Sequence, residues 1–226
     1  MKDIKMMSES FELGCVLAVS GGFMDAYSYI CRDKVFANAQ TGNILLFGIN
    51  LSQGNFKTAF TYFSPVVSFA IGILLACMFK SHVSEENMFH WRQFSVLCEA
   101  IILLVVGFIP QDLNLLANSL TSFACGIQVQ SFKKINGNGI ATTMCIGNLR
   151  SGTENIWAYI STKNKLYLEK GILYFQIIFA FALGAVLGDF SIDLFRERAI
   201  IVSSILLFLT FAMMFLKKEE NGYSLR

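Results

Sequence analysis

Several charged side chains lie within, or directly after, long apolar runs of this sequence. Asp25 lies about two-thirds of the way along the first run, and Arg150 follows a polar turn in the second half of the chain. Ionisable side chains are costly in an apolar environment and often mark binding or proton-transfer sites. Asp25 could accept and release a proton, and Arg150 could hold an anionic group through two hydrogen bonds. We therefore expect these two residues to form the core of a site.

Two further stretches, 36–51 and 140–160, place polar residues inside apolar surroundings. Their Asn, Thr and Gly residues are poor helix formers, so each stretch predicts an extended lead-in followed by a short half-helix. The predicted helix starts lie near Thr41–Gly42 and near Ile146–Gly147. Free N–H groups at a helix start bind anions. Together with Asp25 and Arg150, the candidate binding residues are Asn38, Gln40, Thr41, Gly42, Asn43, Thr142, Thr143, Gly147 and Asn148.

Simpler interpretations of the same residues stay open. The polar groups of the two stretches could satisfy one another and only lock a helix bundle. Arg150 and Glu154 are four residues apart and could pair with each other on one helix face. Glu99 and Asp189 are weaker candidates, because side chains near the end of an apolar run can reach water.

The composition indicates where these residues must sit. Of the 226 residues, 54% are apolar and 15% are charged, whereas a soluble domain of this size carries more charge. A helix of ~20 residues crosses a hydrocarbon core of ~30 Å. Six apolar runs approach that length, namely 11–30, 58–79, 94–110, 113–132, 171–190 and 199–216. The sequence therefore predicts an all-α membrane protein with six transmembrane helices and two interrupted, re-entrant half-helix segments in one membrane domain, residues 1–226.

The two halves of the chain, 11–110 and 113–216, resemble each other. Gly22 matches Gly126 at an offset of 104 residues, and Gly42 matches Gly147 at an offset of 105. If each interrupted segment dips in and returns, each half crosses the bilayer three times, and the second half is inverted. Such a 3+3 inverted repeat is typical of transporters. If each segment crosses fully, the repeats are parallel.

The distribution of lysine and arginine separates these two topologies. With six crossings and a cytoplasmic N-terminus, thirteen of the eighteen lie inside and five outside. With eight crossings nine lie inside, eight lie outside, and Arg150 lies within the membrane. The five outside positions under six crossings are Arg32, Lys34, Lys57, Arg196 and Arg198. Because cytoplasmic loops carry the excess of positive charge, six crossings of the plasma membrane with both termini cytoplasmic are expected.

Other classes of protein fit the sequence poorly. A net charge of +2 with scattered basic residues does not suggest nucleic-acid binding. The six cysteines lie far apart without a C-x-x-C pair, so neither a metal site nor a cofactor is expected. An enzyme is not expected, because no nucleophile has a base at a recognisable spacing. Small residues around Gly72, Gly184 and Gly188 predict close helix packing, and self-association into a homo-oligomer through such faces stays open.

The motifs GGFMDAYSYI…VFANAQTGNILLFG and GIQVQ…IATTMCIGNLRSG resemble the YoaK-like family of bacterial membrane proteins, a domain of unknown function. The first family motif, G-[YF]-x-D-A followed by F-x-A-N-x-T-G-N, is represented here by Gly22, Asp25, Ala26, Phe36, Asn38, Thr41, Gly42 and Asn43, with Asn38-Ala39 in place of the A-N of the motif. The second, G-L-Q-N-A followed by T-T-x-x-T-G, is broken at Val129, Gln130 and Ile146. The resemblance implies a multi-pass membrane protein and no particular activity.

Two functions are therefore compared. The first is a small-solute secondary transporter or channel, with a central site between the two half-helices for an anionic or polar solute and with proton coupling through Asp25. The second is a non-transporting membrane scaffold or partner subunit, in which the polar turns are structural. Flux across a lipid bilayer separates them.

Overall fold

The computed structural model describes residues 10–83, 88–135 and 137–223, and most of this backbone is helical. Lys2 and Lys5, which the topology argument places in the cytoplasm, lie outside the described residues. The elements in chain order are α1 (Phe11–Cys31), α2 (Gln40–Ser52), α3 (Phe56–Ser81), α4 (Met88–Val106), α5 (Asn114–Ser131), β1 (Lys134–Ile135), β2 (Asn138–Gly139), α6 (Cys145–Thr162), α7 (Lys165–Phe195) and α8 (Ile200–Tyr223). The two short strands form one antiparallel pair, with Lys134 opposite Gly139. The predicted all-α class is confirmed.

Helices cover all six predicted apolar runs. By length and composition, three helical stretches of the described chain are apolar enough to cross a membrane: Phe11–Cys31, Phe56–Ser81 and Lys165–Met214, which includes α7 and most of α8. Helices also begin inside both interrupted segments, at Gln40 and Cys145, within two residues of the predicted starts. The second of them is not short, because 18 residues of α6 extend ~27 Å.

Two close helix crossings hold the bundle together. In the crossing of α1 with α7, a Cβ atom at Gly184 would collide with the carbonyl oxygen of Val19. In the crossing of α3 with α5, a Cβ atom at Gly72 would collide with the carbonyl oxygen of Phe123. The absence of side chains at these glycines lets the backbones touch, as predicted for Gly72 and Gly184.

Contact positions give the relative directions of these helices. Val19 lies against Gly184 and Ala26 against Gly188, so α1 and α7 run parallel. Ser64 hydrogen-bonds Ser119, and Gln130 donates to Cys77 Sγ, so α3 and α5 also run parallel.

The remaining long helices pack antiparallel to their neighbours. Ser204 donates to the carbonyl of Ala100 over 2.6 Å, whereas Gly107 lies against Ile201, so α8 runs opposite to α4. The Ser20 and Ser203 hydroxyls are 2.7 Å apart, and the Tyr27 hydroxyl donates to the carbonyl of Glu197, so α8 also runs opposite to α1.

The chain reverses direction in each interrupted segment. The Asn43 side chain donates to the carbonyl of Phe36 over 2.7 Å and accepts from the Phe36 N–H over 3.0 Å. The Asn148 side chain makes the same pair of bonds with Ala141, over 2.6 and 3.2 Å. A continuing extended chain would separate residues seven apart by ~23 Å, so both segments turn back on themselves.

Arg32 is completely buried. The topology expected from the sequence instead places it among the cations of the external loops. The Arg32 guanidinium supplies N–H donors to the end of α4, where the last carbonyl groups have no partner within the helix. The acceptors are Tyr27 Oη, Asn114 Oδ1 and the carbonyl oxygens of Val106, Ile109 and Pro110. Arg32 therefore fixes the junction between α1, α4 and α5.

Candidate central polar site

Asp25 lies at the start of α2, although it belongs to α1. Its side chain is 8% exposed, and Oδ1 accepts from the backbone N–H of Asn38 over 2.7 Å. The N-cap residue of α2, Ala39, has no side-chain cap, so the carboxylate faces the uncapped helix start. A negative group is favoured there by the free N–H groups and the helix dipole. The anion position predicted at α2 is thus occupied by a carboxylate of the protein itself.

The two non-helical lead-ins, residues 36–39 before α2 and 140–144 before α6, meet beside Gly21 in the middle of α1. The Asn38 side chain donates to the Gly21 carbonyl over 3.0 Å. On the second lead-in, a Cβ atom at Gly21 would lie 3.2 Å from the carbonyl oxygen of Thr142 and 3.4 Å from Cγ2 of Thr143. Asn38, Thr142 and Thr143 are each at most 2% exposed. Polar side chains from both halves of the chain therefore share one buried volume.

A second carboxylate reaches this volume from α4. Glu99 is fully buried, and Gln128 on α5 is 1% exposed. The Gln128 amide oxygen cannot face the Glu99 carboxylate, because two acceptors would then oppose each other. In the other orientation the amide nitrogen donates to Glu99, and the amide oxygen accepts from Thr142 Oγ1 over 3.1 Å. Gln128 thus connects Glu99 with the second lead-in.

The Cys125 thiol on α5 interacts with both carboxylates. It is fully buried, 3.6 Å from Met24 Sδ, and lies within interaction range of Asp25, Glu99 and the Asn38 side chain. We use the term central cluster for Asp25, Asn38, Glu99, Cys125, Gln128, Thr142 and Thr143.

Two oxygens of the central cluster are unpaired. Asn38 Oδ1 and Thr143 Oγ1 are buried and have no hydrogen-bond partner among the described residues. The two residues are 105 positions apart, so they are equivalent in the sequence repeat. Buried polar atoms without a partner are rare in native proteins, and each calls for an explanation such as strain, a catalytic role, a water molecule or an ion. The orphaned oxygens belong to the same volume as the carboxylates.

The structure separates the predicted site residues into groups. Asp25, Asn38, Thr142 and Thr143 belong to the central cluster. Asn43 and Asn148 are buried, but their amides are used on backbone groups. The four remaining candidates of the half-helices lie near the starts of α2 and α6: Gln40 bonded to the carbonyl of Ala37, Gly42 against the Phe36 ring, and Thr41 and Gly147 exposed.

The expectation that Asp25 and Arg150 together form the core of one site is wrong for Arg150. Arg150 Nε is 2.9 Å from Glu154 Oε1, and the two side chains are 79% and 61% exposed. The four-residue spacing puts both on the outer face of α6, where they satisfy each other. Arg150 therefore lies outside the central cluster, and the alternative pairing considered from the sequence is the one observed.

Sequence reasoning ranked Glu99 too low and missed Gln128 and Cys125. Glu99 was discounted because it follows the start of the predicted run 94–110 by one turn. In the structure α4 begins at Met88, so Glu99 lies near the middle of the helix and cannot reach water at its end. Gln128 matches the family motif, and that match was the available signal.

These features define the class of protein: a multi-pass helical membrane protein with a buried polar centre. Residues 13–213 match the model of the family described as Protein of unknown function (DUF1275), and the chain belongs to this family. It is similar to the UPF0700 transmembrane protein YoaK of Bacillus subtilis (strain 168), with 25% identity over 202 residues, covering 85% of this chain and 88% of the relative. No solved structure matches the chain. The resemblance identified from the motifs is confirmed.

Proposed function

We propose that this protein is a secondary transporter of a small polar solute, that it resides in the plasma membrane, and that it has no enzymatic activity. The observation that carries the proposal is the meeting of two chain reversals at Gly21, beside a buried carboxylate and two unpaired oxygens. Non-helical backbone at membrane depth is tolerated where it is buried in protein or lines a cavity. In transporters, such interrupted segments form the substrate site.

The helix directions support six crossings with both termini on the same side of the membrane, and the excess of lysine and arginine on that side supports its being the cytoplasm. Taking α1 as upward, the contacts described above make α7 upward and α8 downward, and α4 upward because it opposes α8. Ser131 at the end of α5 bonds Ser95 near the start of α4, so α5 runs downward, as does its parallel neighbour α3.

The interrupted segments fit the same arrangement. The Phe47 ring lies 5.0 Å from the Phe63 ring near the turn between α2 and α3, and Gly152 and Gly171 lie close to each other between α6 and α7. Both α2 and α6 thus run opposite to the helix that follows them, so α2 runs upward and α6 downward. Every helix of 11–110 then opposes its counterpart in 113–216, which supports a 3+3 inverted repeat with re-entrant segments.

The central cluster favours a neutral or cationic solute over an anion. It contains Asp25 and Glu99, and no lysine or arginine of the described residues forms an ion pair with either carboxylate. The start of α2 already faces Asp25. An anion would therefore meet negative charge at the position where the sequence predicted it to bind.

Solute uptake into proteoliposomes tests the proposal. Purified protein is reconstituted, and uptake of a panel of small polar solutes is measured with and without an imposed pH or sodium gradient. Asp25→Asn and Asn38→Ala are expected to reduce uptake at least tenfold. Arg150→Gln is the matched control, since its side chain is exposed, and should keep wild-type uptake. If no solute of the panel is taken up by the wild-type protein, transport of these solutes is excluded.

A scaffold role is the second candidate, because many buried polar groups are fully used in holding the fold. Three of them donate hydrogen bonds to backbone or side-chain partners within the bundle: Arg32, Asn43 and Asn148. A scaffold predicts that Asp25→Asn and Asn38→Ala lower thermal stability while no solute is moved by any variant or by the wild type.

A further inference from the structure

We propose that Glu99 is a binding site for a monovalent cation, H⁺ or Na⁺, in the centre of the bundle. Its carboxylate is fully buried near the middle of α4. Among the described residues, the Gln128 amide is the donor that reaches it. One neutral amide does not offset the loss of hydration of an ionised carboxylate, so the charge must be neutralised by a bound cation.

The groups around Glu99 do not supply that positive charge. From α5, Gln128 and the Cys125 thiol face it, and neither is cationic. From α8, Ser204 lies one residue further along α4, where its hydroxyl donates to the carbonyl of Ala100. Asp25 on α1 is also within range of Cys125 and adds negative charge.

The nearest arginine on the same helix points elsewhere. Arg92 lies two turns before Glu99 on α4 and directs Nε to the carbonyl of Ser131 over 3.3 Å. No ion pair joins Glu99 to a lysine or arginine in the part of the chain that the structure describes.

The unpaired oxygens provide an independent reason to place a cation here. Asn38 Oδ1 and Thr143 Oγ1 are each on a residue 1% exposed, and the Asn38 side chain reaches the Cys125 thiol beside Glu99. Carboxylate, amide and hydroxyl oxygens are the ligands that hard cations prefer. A hydronium or a protonated carboxyl would instead use the same acceptors for hydrogen bonds.

The polar groups form a row with a carboxylate at each end, made of two hydrogen-bonded stretches that meet at Gly21. Glu99 is bonded to Gln128, Gln128 to Thr142, and Thr142 is followed by Thr143 at Gly21. On the other side of Gly21, Asn38 is bonded to Asp25 through its backbone N–H. A cation released by Glu99 therefore has oxygens along the row to Asp25. Its role as the coupling ion rests on the proposed transport function, whereas its binding does not.

Carbodiimide labelling tests the binding directly, with no solute needed. Dicyclohexylcarbodiimide is apolar and adds to protonated carboxyl groups in apolar surroundings. The wild-type protein in detergent is labelled from mildly acidic to alkaline pH, in sodium chloride or in choline chloride of equal ionic strength, and the adducts are located by peptide mass mapping. We expect the adduct at Glu99, falling severalfold as the pH rises. Additional protection by sodium at constant pH identifies Na⁺, and its absence identifies H⁺.

The thermal unfolding midpoint is a second measurement, which tests the proposal even where dicyclohexylcarbodiimide does not reach the Glu99 carboxyl group. In the wild type, the unfolding midpoint should fall with rising pH or rise with sodium, and Glu99→Gln should remove that dependence, because its amide carries no charge. If neither the yield of the Glu99 adduct nor the unfolding midpoint of the wild type depends on pH or sodium, Glu99 is a permanently neutral structural group, and the proposal is overturned. If Glu99→Gln does not fold, the wild-type adduct map decides alone, and an absent or insensitive Glu99 adduct overturns the proposal.

The outcomes separate this inference from the proposed transport function. A pH- or sodium-sensitive Glu99 without flux of any solute in the panel supports the cation site and contradicts transport of those solutes. Flux with an insensitive Glu99 supports transport and contradicts the cation site.

Discussion

The two chain reversals, at 36–43 and at 141–148, are built alike but differ in their chemistry. In each, one asparagine side chain bonds both backbone groups of the residue seven positions before it. At the first reversal Asp25 accepts from the chain at the start of α2, whereas Val129 stands at the matching position of the second. The shared part therefore makes the turn, and the carboxylate is a separate feature of one half.

The second half contacts a carboxylate by a different route. Gln128, one residue before Val129, links Thr142 on the second lead-in to Glu99 on α4. Each reversal is thus connected to one acidic group, directly through the backbone in the first half and through an amide in the second. An internal repeat can keep its fold while the two halves take different parts in binding.

The largest effects are expected where the halves agree, at Asn43 and Asn148. Replacing either by leucine leaves an N–H and a C=O group without their partner, each costing about 1–3 kcal/mol when buried. We expect Asn43→Leu and Asn148→Leu each to lower the free energy of unfolding by about 2–6 kcal/mol. Heating the detergent-solubilised protein and measuring the remaining monodisperse fraction gives the comparison.

Asn50→Leu is the matched control, because the one hydrogen bond of the Asn50 side chain within the described part of the chain goes to a carbonyl of its own helix, that of Leu46. Its midpoint should stay close to that of the wild type. A variant at position 43 or 148 that is as stable as Asn50→Leu would show that the asparagine does not hold its reversal.

A smaller effect is expected where the halves differ, at Asp25. Asp25→Leu removes the acceptor of the Asn38 N–H and should lower the free energy of unfolding by about 1–3 kcal/mol. Asp25→Asn keeps an acceptor oxygen, so we expect it to lose less stability while losing the charge. Val129→Leu is the comparison in the second half and should be nearly neutral. Equal stability of Asp25→Leu and the wild type would contradict the role of Asp25 at the start of α2.

The sequence predicted the helices and both interruptions because these depend on local patterns. Apolar runs locate the long helices, and polar residues with low helix propensity locate the starts of α2 and α6. It also identified Asp25, Asn38, Thr142 and Thr143. Such signals are visible along the chain without knowledge of packing.

The partners of the other polar side chains depend on which helices are in contact, and a single sequence does not show these contacts. Arg150 was assigned to the centre from its position after a half-helix start, but it faces outward beside Glu154. Arg32 was counted as a loop cation, yet it closes the end of α4. The role of Gln128 depends on its contacts with Glu99 and Thr142, which are 29 and 14 residues away along the chain.

The smallest effect distinguishes two equivalent glycines, Gly42 and Gly147. A Cβ atom at Gly42 would lie 2.7 Å from the Phe36 ring, whereas a Cβ atom at Gly147 would meet nothing within 4 Å. Both lie near the start of a helix, where alanine is favoured over glycine by up to about 1 kcal/mol. We therefore expect Gly147→Ala to be neutral or to stabilise by up to about 1 kcal/mol. Gly42→Ala should instead destabilise by about 1–2 kcal/mol, because the ring must move. Melting midpoints of the two variants, measured in the same detergent, give the difference, and an equal shift in both would show that Phe36 adapts freely and that the reversals tolerate side chains alike.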